Sequence, residues 1–147
     1  MKLISTNNKA NFNYFILETI VAGIQLLPTE VKSITNNQIS ISEAFVEFSN
    51  DEAFLVNSHV PQYQIAAKHN PHDPYRKRKL LLTKKQIRKL IQDSQQSNLT
   101  IVPINVCYVN NKIKITIALA KGKKLHDKRD ADHIKSINKL IRNTVDR

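Results

Sequence analysis

Two glycines in 147 residues exclude a glycine-rich loop that would cradle a nucleotide phosphate. The one cysteine, Cys107, excludes an intramolecular disulfide and a zinc site built on a cysteine cluster. No apolar run approaches the ~20 residues that a membrane-spanning helix requires. The opening MKLISTNNKANF lacks the apolar stretch and small-residue cleavage site of an export signal. A soluble, cytoplasmic protein without membrane attachment is expected from these absences. Acidic residues are scarce as well: 12 Asp and Glu stand against 23 Lys and Arg, a formal net charge of +11. An excess of that size makes a polyanion the first partner to consider.

The charge is also unevenly placed. Residues 1–67 hold three Lys and six acids, whereas residues 68–147 hold 20 cations and six acids. Such asymmetry favours a docking face over general solubility. The hydrophobic content of 41% suits one modest core, so a second full domain is not expected.

Aromatic and β-branched residues over 12–26 predict a long first strand, with Gly23 as a bend within it. PTEVKSITNN predicts a short helix, with Pro28 in its first turn, Glu30 favourable near its N-terminus, Asn36-Asn37 as a stop, and Val31 and Ile34 facing the core. In ISISEAFVEFSNDEAFLVNSHV, alternation about the turn Ser49-Asn50-Asp51-Glu52 predicts a hairpin. Three prolines and no hydrophobic period make Pro61 to Arg78 a long surface loop. KLLL then reads as a short strand, and Thr83 caps an amphipathic helix with Ile87, Leu90 and Ile91 on one face. The clearest hairpin carries Val102, Ile104, Val106 and Tyr108 on one strand and Ile113, Ile115, Ile117 and Leu119 on the other, joined by Asn110-Asn111. Its other face carries Lys112 and Lys114.

About six short strands with two helices predict a mainly β fold with flanking helices, a small, partly closed, OB-like antiparallel β-barrel over residues 1–121. Residues 122–147 contain no aromatic residue and are read as a basic C-terminal tail outside the core, disordered when free. Ile137, Ile141 and Val145 recur there at helical spacing, which allows either a helix formed on a partner or one packed on the barrel.

Two clusters carry the positive charge. From Lys68 to Lys89 there are nine cations and one acid, with Tyr75 opening the run YRKRK; the alternative is a solvated helix face. In AKGKKLHDKRD, residues 120–130, Lys121, Lys123 and Lys124 follow directly on a strand. His126 is suited to stack on a base and Arg129 to fork a phosphate. The residues alone point to an RNA or DNA backbone met at more than one region. His69, His72 and Asp73 raise a rival, a metal-dependent nuclease. Pro71 and Pro74 deny them a helix, however, and no fourth ligand is near, so neither a metal nor another cofactor is expected. Cys107, read on the polar side of its strand, has no histidine in the local sequence to activate it.

The ordered set NNKANFNYFI, TEVKS, HDPYRKRKLLL, LTIVPINVCYV and LAKGKKLHDKRD resembles the SsrA-binding protein family, also called small protein B, from about Asn7 to Arg129. The resemblance implies an OB-like barrel that binds the tRNA-like part of transfer-messenger RNA (tmRNA). It implies a non-enzymatic adaptor that brings this RNA to stalled ribosomes for trans-translation, with elongation factor Tu joining through the RNA complex. Carried over by position, the tmRNA surface comprises Asn7, Lys9, Glu30, Lys32, Arg78, Lys79, Lys121, Lys123 and Lys124. Glu30 is expected to accept a hydrogen bond from RNA or to hold a neighbouring cation. The tail is expected in the ribosomal decoding centre and message channel, helical there, through His126, Asp127, Lys128, Arg129, Lys135 and Lys139. Asn11, Phe12 and Pro28 replace the family's usual Arg, His and Gly, Asn110-Asn111 replaces Asn-Gly, and beyond Arg129 the family's pattern is lost. A generic OB-type translation factor is the alternative, and a monomer is expected in either case.

Overall fold

The structure is a computed structural model, and it describes residues 2–62, 72–95 and 99–123. Ten elements follow in chain order: β1 (Lys2–Thr6), α1 (Asn8–Asn13), β2 (Tyr14–Ile24), α2 (Pro28–Thr35), β3 (Phe45–Ser49), β4 (Glu52–Val56), β5 (Arg78–Leu81), α3 (Lys84–Ser94), β6 (Leu99–Val109) and β7 (Lys112–Gly122). The strands form one antiparallel sheet in the order β1-β6-β7-β2-β5-β4-β3. It therefore has seven strands among the described residues, one more than the alternation predicted.

The turns follow from the sequence. Asn110 and Asn111 have φ of 49° and 63°, and Asn50 and Asp51 have 52° and 61°. Both are two-residue turns whose left-handed backbone suits the twist of the flanking strands and which Asn and Asp tolerate. At α3, the Thr83 hydroxyl accepts from the Gln86 N–H at 3.1 Å while the Gln86 side chain accepts from the Thr83 N–H at 2.9 Å. This reciprocal cap starts the helix where predicted.

Curling brings β3 against β6, although no ladder joins them, so the barrel is open along one seam. Asn7 bridges it. Its Nδ2 donates to Ile41 O at 3.2 Å and to Pro103 O at 2.8 Å. The main core lies inside the curl, around Ile34, Ile41, Leu55, Leu80, Ile101, Ile115 and Ile117, with Ile87 and Leu90 of α3. A smaller cluster places Ala10 of α1 against Val102 and Ala120.

Several expectations are corrected. The predicted first strand starts at Tyr14, because residues 8–13 turn into α1, and β1 precedes it as an unforeseen edge strand paired to distant β6. Val31 is exposed, since α2 buries Glu30, Ser33 and Ile34 instead. Val102 and Val106 occupy opposite faces: a bulge between Pro103 and Asn105 shifts the register, sending Val102 to the smaller cluster and Val106 to the core. Cys107 is buried. In the expected surface loop, His72 is buried and Arg78 already belongs to β5, while residues 63–71 lie outside the described residues. Most of the expected tail, residues 124–147, lies outside them too, and β7 itself runs to Gly122.

Ile117→Ala should destabilise the protein by about 2–5 kcal/mol through loss of packing and the cavity left behind. Asn111→Val should cost roughly 1–2 kcal/mol, because a β-branched residue resists positive φ. Urea unfolding midpoints measure both, and Asn111→Gly should match or exceed the parent.

Candidate nucleic-acid interface

Glu30 lies in the first turn of α2, and its Oε1 accepts from the Leu27 N–H at 2.8 Å, completing the helix start that Pro28 opens. The same carboxylate receives two guanidinium groups. Arg76 donates to Oε1 at 2.6 Å and to Oε2 at 3.2 Å, and Arg78 Nε donates to Oε2 at 2.7 Å. Arg78 also donates to the Ser58 hydroxyl at 3.0 Å and to the carbonyls of Arg76, Pro74 and, at 3.4 Å, Asp73. Glu30 and Arg78 are both fully buried.

Burial alone would raise the Glu30 carboxyl's pKa. The Arg76 and Leu27 hydrogen bonds and the charges of Arg78 and Arg76 outweigh it and hold the carboxyl below its usual range. Burial pulls Arg78 below its usual value against the pull of Glu30. Beside this cluster His72 Nε2 donates to Val60 O at 2.9 Å, and Nδ1 shares a hydrogen bond of 2.9 Å with the Thr29 hydroxyl. Both ring nitrogens are thus engaged by protein, which removes His72 from the metal-ligand reading; His69 lies outside the described residues.

Three members of the expected RNA surface are therefore internal. Asn7 bridges the barrel seam, Glu30 is buried and holds neighbouring cations, the second of its two expected roles, and Arg78 binds carbonyls and a carboxylate where a phosphate contact was expected. The first basic cluster changes meaning with them. Five of the six ion pairs among the described residues join Arg76, Lys77, Arg78, Lys79 or Lys89 to Glu30, Glu47, Glu52 or Glu18. Much of that cluster's charge thus offsets the acidic first half of the chain. The Lys89–Glu18 hydrogen bond raises the Lys89 pKa.

Of the other expected residues, Lys9 is exposed and paired with Glu43, Lys32 is exposed on α2, and Lys79 is half-exposed beside Glu52. Lys121 is exposed at the end of β7, and Lys123 Nζ donates to Asn11 O at 2.9 Å. Lys124, His126, Asp127, Lys128, Arg129, Lys135 and Lys139 lie outside the described residues.

The register assembles a surface that the sequence reading missed. Gly23 of β2 pairs with Lys114 of β7 on one side and Leu81 of β5 on the other. A Cβ on Gly23 would lie 3.2 Å from Leu81 Cδ1 and 3.5 Å from Lys114 Nζ, so glycine lets these side chains close over the strand. An open cleft of about 330 Å³ adjoins them, lined by Leu26, Val31, Tyr108, Lys112 and Ile113 among others, none of them acidic. Val21 and Leu81 are 63% and 56% exposed, large apolar areas beside uncompensated lysines. That combination suits a sugar or base against the apolar floor and phosphates against Lys112 and Lys114. The available signals were Gly23 within a strand and two lysines alternating outward on β7.

Glu30→Gln should destabilise the fold by about 3–5 kcal/mol at pH 7, because it leaves buried arginine charge uncompensated. The folded carboxyl has a depressed pKa, so the stability it adds is present above the unfolded value of about 4.3 and is lost as pH falls through the lower folded value. The gap between parent and variant in urea unfolding should therefore narrow below about pH 4.

The chain is similar to known proteins. The family model described as SmpB protein matches residues 4–147. The SsrA-binding protein of Prochlorococcus marinus subsp. pastoris is 44% identical over 146 residues, spanning 99% of this chain and 83% of the relative. That of Acaryochloris marina is 47% identical over 130 residues, or 88% of this chain and 84% of the relative. A chain from a solved structure of tmRNA-SmpB and the center of the bacterial ribosome superposes with a TM-score of 0.70 at 37% identity, covering 86% of this chain and 92% of that one. The chain belongs to the SmpB family of SsrA-binding proteins.

Proposed function

We propose that this protein binds transfer-messenger RNA and delivers it to stalled ribosomes for trans-translation, so that the ribosome is rescued and the unfinished protein is tagged for degradation. The observation that carries this reading is the family match over residues 4–147, which takes in the barrel and the basic segment after it. The resemblance to the ribosome-associated tmRNA-SmpB chain supports both partners.

On this reading the barrel, residues 1–121, binds the RNA's tRNA-like part through Lys112 and Lys114 with Leu81 and Val21, supplemented by Lys9, Lys32, Lys79 and Lys121. The tail, residues 122–147, acts in the decoding centre and message channel through Lys124, His126, Asp127, Lys128 and Arg129, with Lys135 and Lys139 farther along. Two surfaces explain why so much positive charge follows β7, since each meets a separate phosphate backbone. The role is that of an adaptor and requires no catalytic group. Elongation factor Tu joins through the RNA, the protein acts as a cytoplasmic monomer, and no described helix is long and apolar enough to cross a membrane.

Lys112→Ala and Lys114→Ala should each weaken transfer-messenger RNA binding roughly three- to tenfold and flatten its salt dependence by about one unit of slope. Truncation after Gly122 should leave that binding largely intact and abolish tagging. Affinities measured across a salt series, paired with a tagging assay on stalled ribosomes, test both. Equal affinity for bulk tRNA at the same salt would favour a generic RNA-binding translation factor instead.

A further inference from the structure

β7 ends its pairing at Gly122, opposite Tyr14, yet the chain is held one residue beyond the ladder. The Lys123 N–H donates to Asn13 O at 2.9 Å, Lys123 Nζ donates to Asn11 O at 2.9 Å, and the ammonium lies 4.8 Å from the centroid of the Phe15 ring. The two carbonyls belong to the last turn of α1, where a helix leaves carbonyls without intrahelical partners and where a cation is favourable. α1 has no basic residue of its own in that turn. Lys123 supplies one from the far end of the chain, and Phe15 offers it the negative face of a ring at cation–π distance.

We infer that Lys123 is a positioning residue: it fastens the end of β7 to the α1–β2 junction and fixes the direction in which the basic segment beginning at Lys124 leaves the barrel. This rests on the adaptor reading, within which it reassigns Lys123 from a phosphate contact to a fastener. A phosphate contact would need an ammonium facing outward for RNA. Here one of the three ammonium donors is engaged by Asn11 and the charge leans on a ring, so a phosphate would have to share the ammonium with both contacts. A fixed exit restricts the orientations open to the following residues, and docking at a second, distant RNA site is then less burdened by conformational entropy.

The test uses the full-length protein with Phe15→Leu, Phe15→Tyr, Lys123→Met and the double variant Phe15→Leu/Lys123→Met. In NMR spectra of the free protein, the Lys123 side-chain protons nearest the ammonium should be shifted upfield by the ring in the parent and in Phe15→Tyr, and should lose the shift in Phe15→Leu. Phe15→Leu should leave transfer-messenger RNA affinity unchanged while slowing tagging of a stalled reporter about threefold at saturating RNA, the factor a partly exposed cation–π contact commands. Phe15→Tyr should restore the rate, and the double variant should be no slower than Lys123→Met.

Parallel loss of RNA affinity and tagging in Phe15→Leu would overturn the inference, as would multiplying effects in the double variant or an unshifted Lys123 in the parent. If the parent itself fails to bind transfer-messenger RNA or to support tagging, the adaptor reading is what fails. The ring shift and its dependence on Phe15 then decide the fastener alone.

Discussion

A carboxylate without access to water binds two guanidinium groups and the start of its own helix. Taking Glu30 and Arg78 out of water costs several kcal/mol for each ion, and the arrangement holds because both carboxylate oxygens and the surrounding carbonyls meet hydrogen-bond donors. The second cation, Arg76, keeps a third of its side chain in solvent, so the extra positive charge is not fully buried. Through this cluster α2, Ser58 in the segment after β4, the segment before β5 and β5 itself are fixed together. Because β5 is the strand that joins β2 to β4, the continuity of the sheet depends on the same contacts.

The barrel's open seam has a smaller counterpart to that cluster. Asn7 gives both hydrogens of its amide to carbonyls on opposite sides, with its Oδ1 left buried and unpartnered. A side chain thus closes what a strand ladder does not, and it sets α1 at the position from which the Lys123 contacts are made. The acidic first half of the chain has a related purpose: Glu47, Glu52 and Glu18 pair with Lys77 just before β5, Lys79 of β5 and Lys89 of α3. No carboxylate among the described residues pairs with Lys112, Lys114 or Lys121 of β7, nor with Lys84, Lys85 or Arg88 of α3, so the charge that remains for a polyanion lies on these two elements.

Local chemistry is legible wherever it acts within a few residues. The Asn-Asn turn, the Thr83 cap, the Pro28 start and the odd-numbered isoleucines of β7 all appear as expected, because propensity, turn geometry and alternation act over short distances. Legibility fails where a distant partner decides. The edge strand β1 exists by pairing with β6, the bulge near Ile104 reverses the faces of Val102 and Val106, and burial of Glu30 and Ser33 leaves Val31 outside. A hydrophobic count cannot see a helix whose buried stripe is partly polar.

For the site, the amino-acid sequence by itself determined the family, the polyanionic class of partner and the basic run beyond β7, because charge and motif order survive without coordinates. Only the tertiary structure decided which cations remain available. Arg78 and Lys121 carry the same charge in the sequence. One lies inside, enclosed by carbonyls and a carboxylate, and the other faces solvent at the end of β7. The same holds for the cleft beside Gly23, where Leu81 and Lys114 are 33 residues apart in sequence and neighbours only through the register of three strands. Accessibility and adjacency are properties of packing, set by contacts between residues far apart in the chain, and no short stretch of sequence contains them.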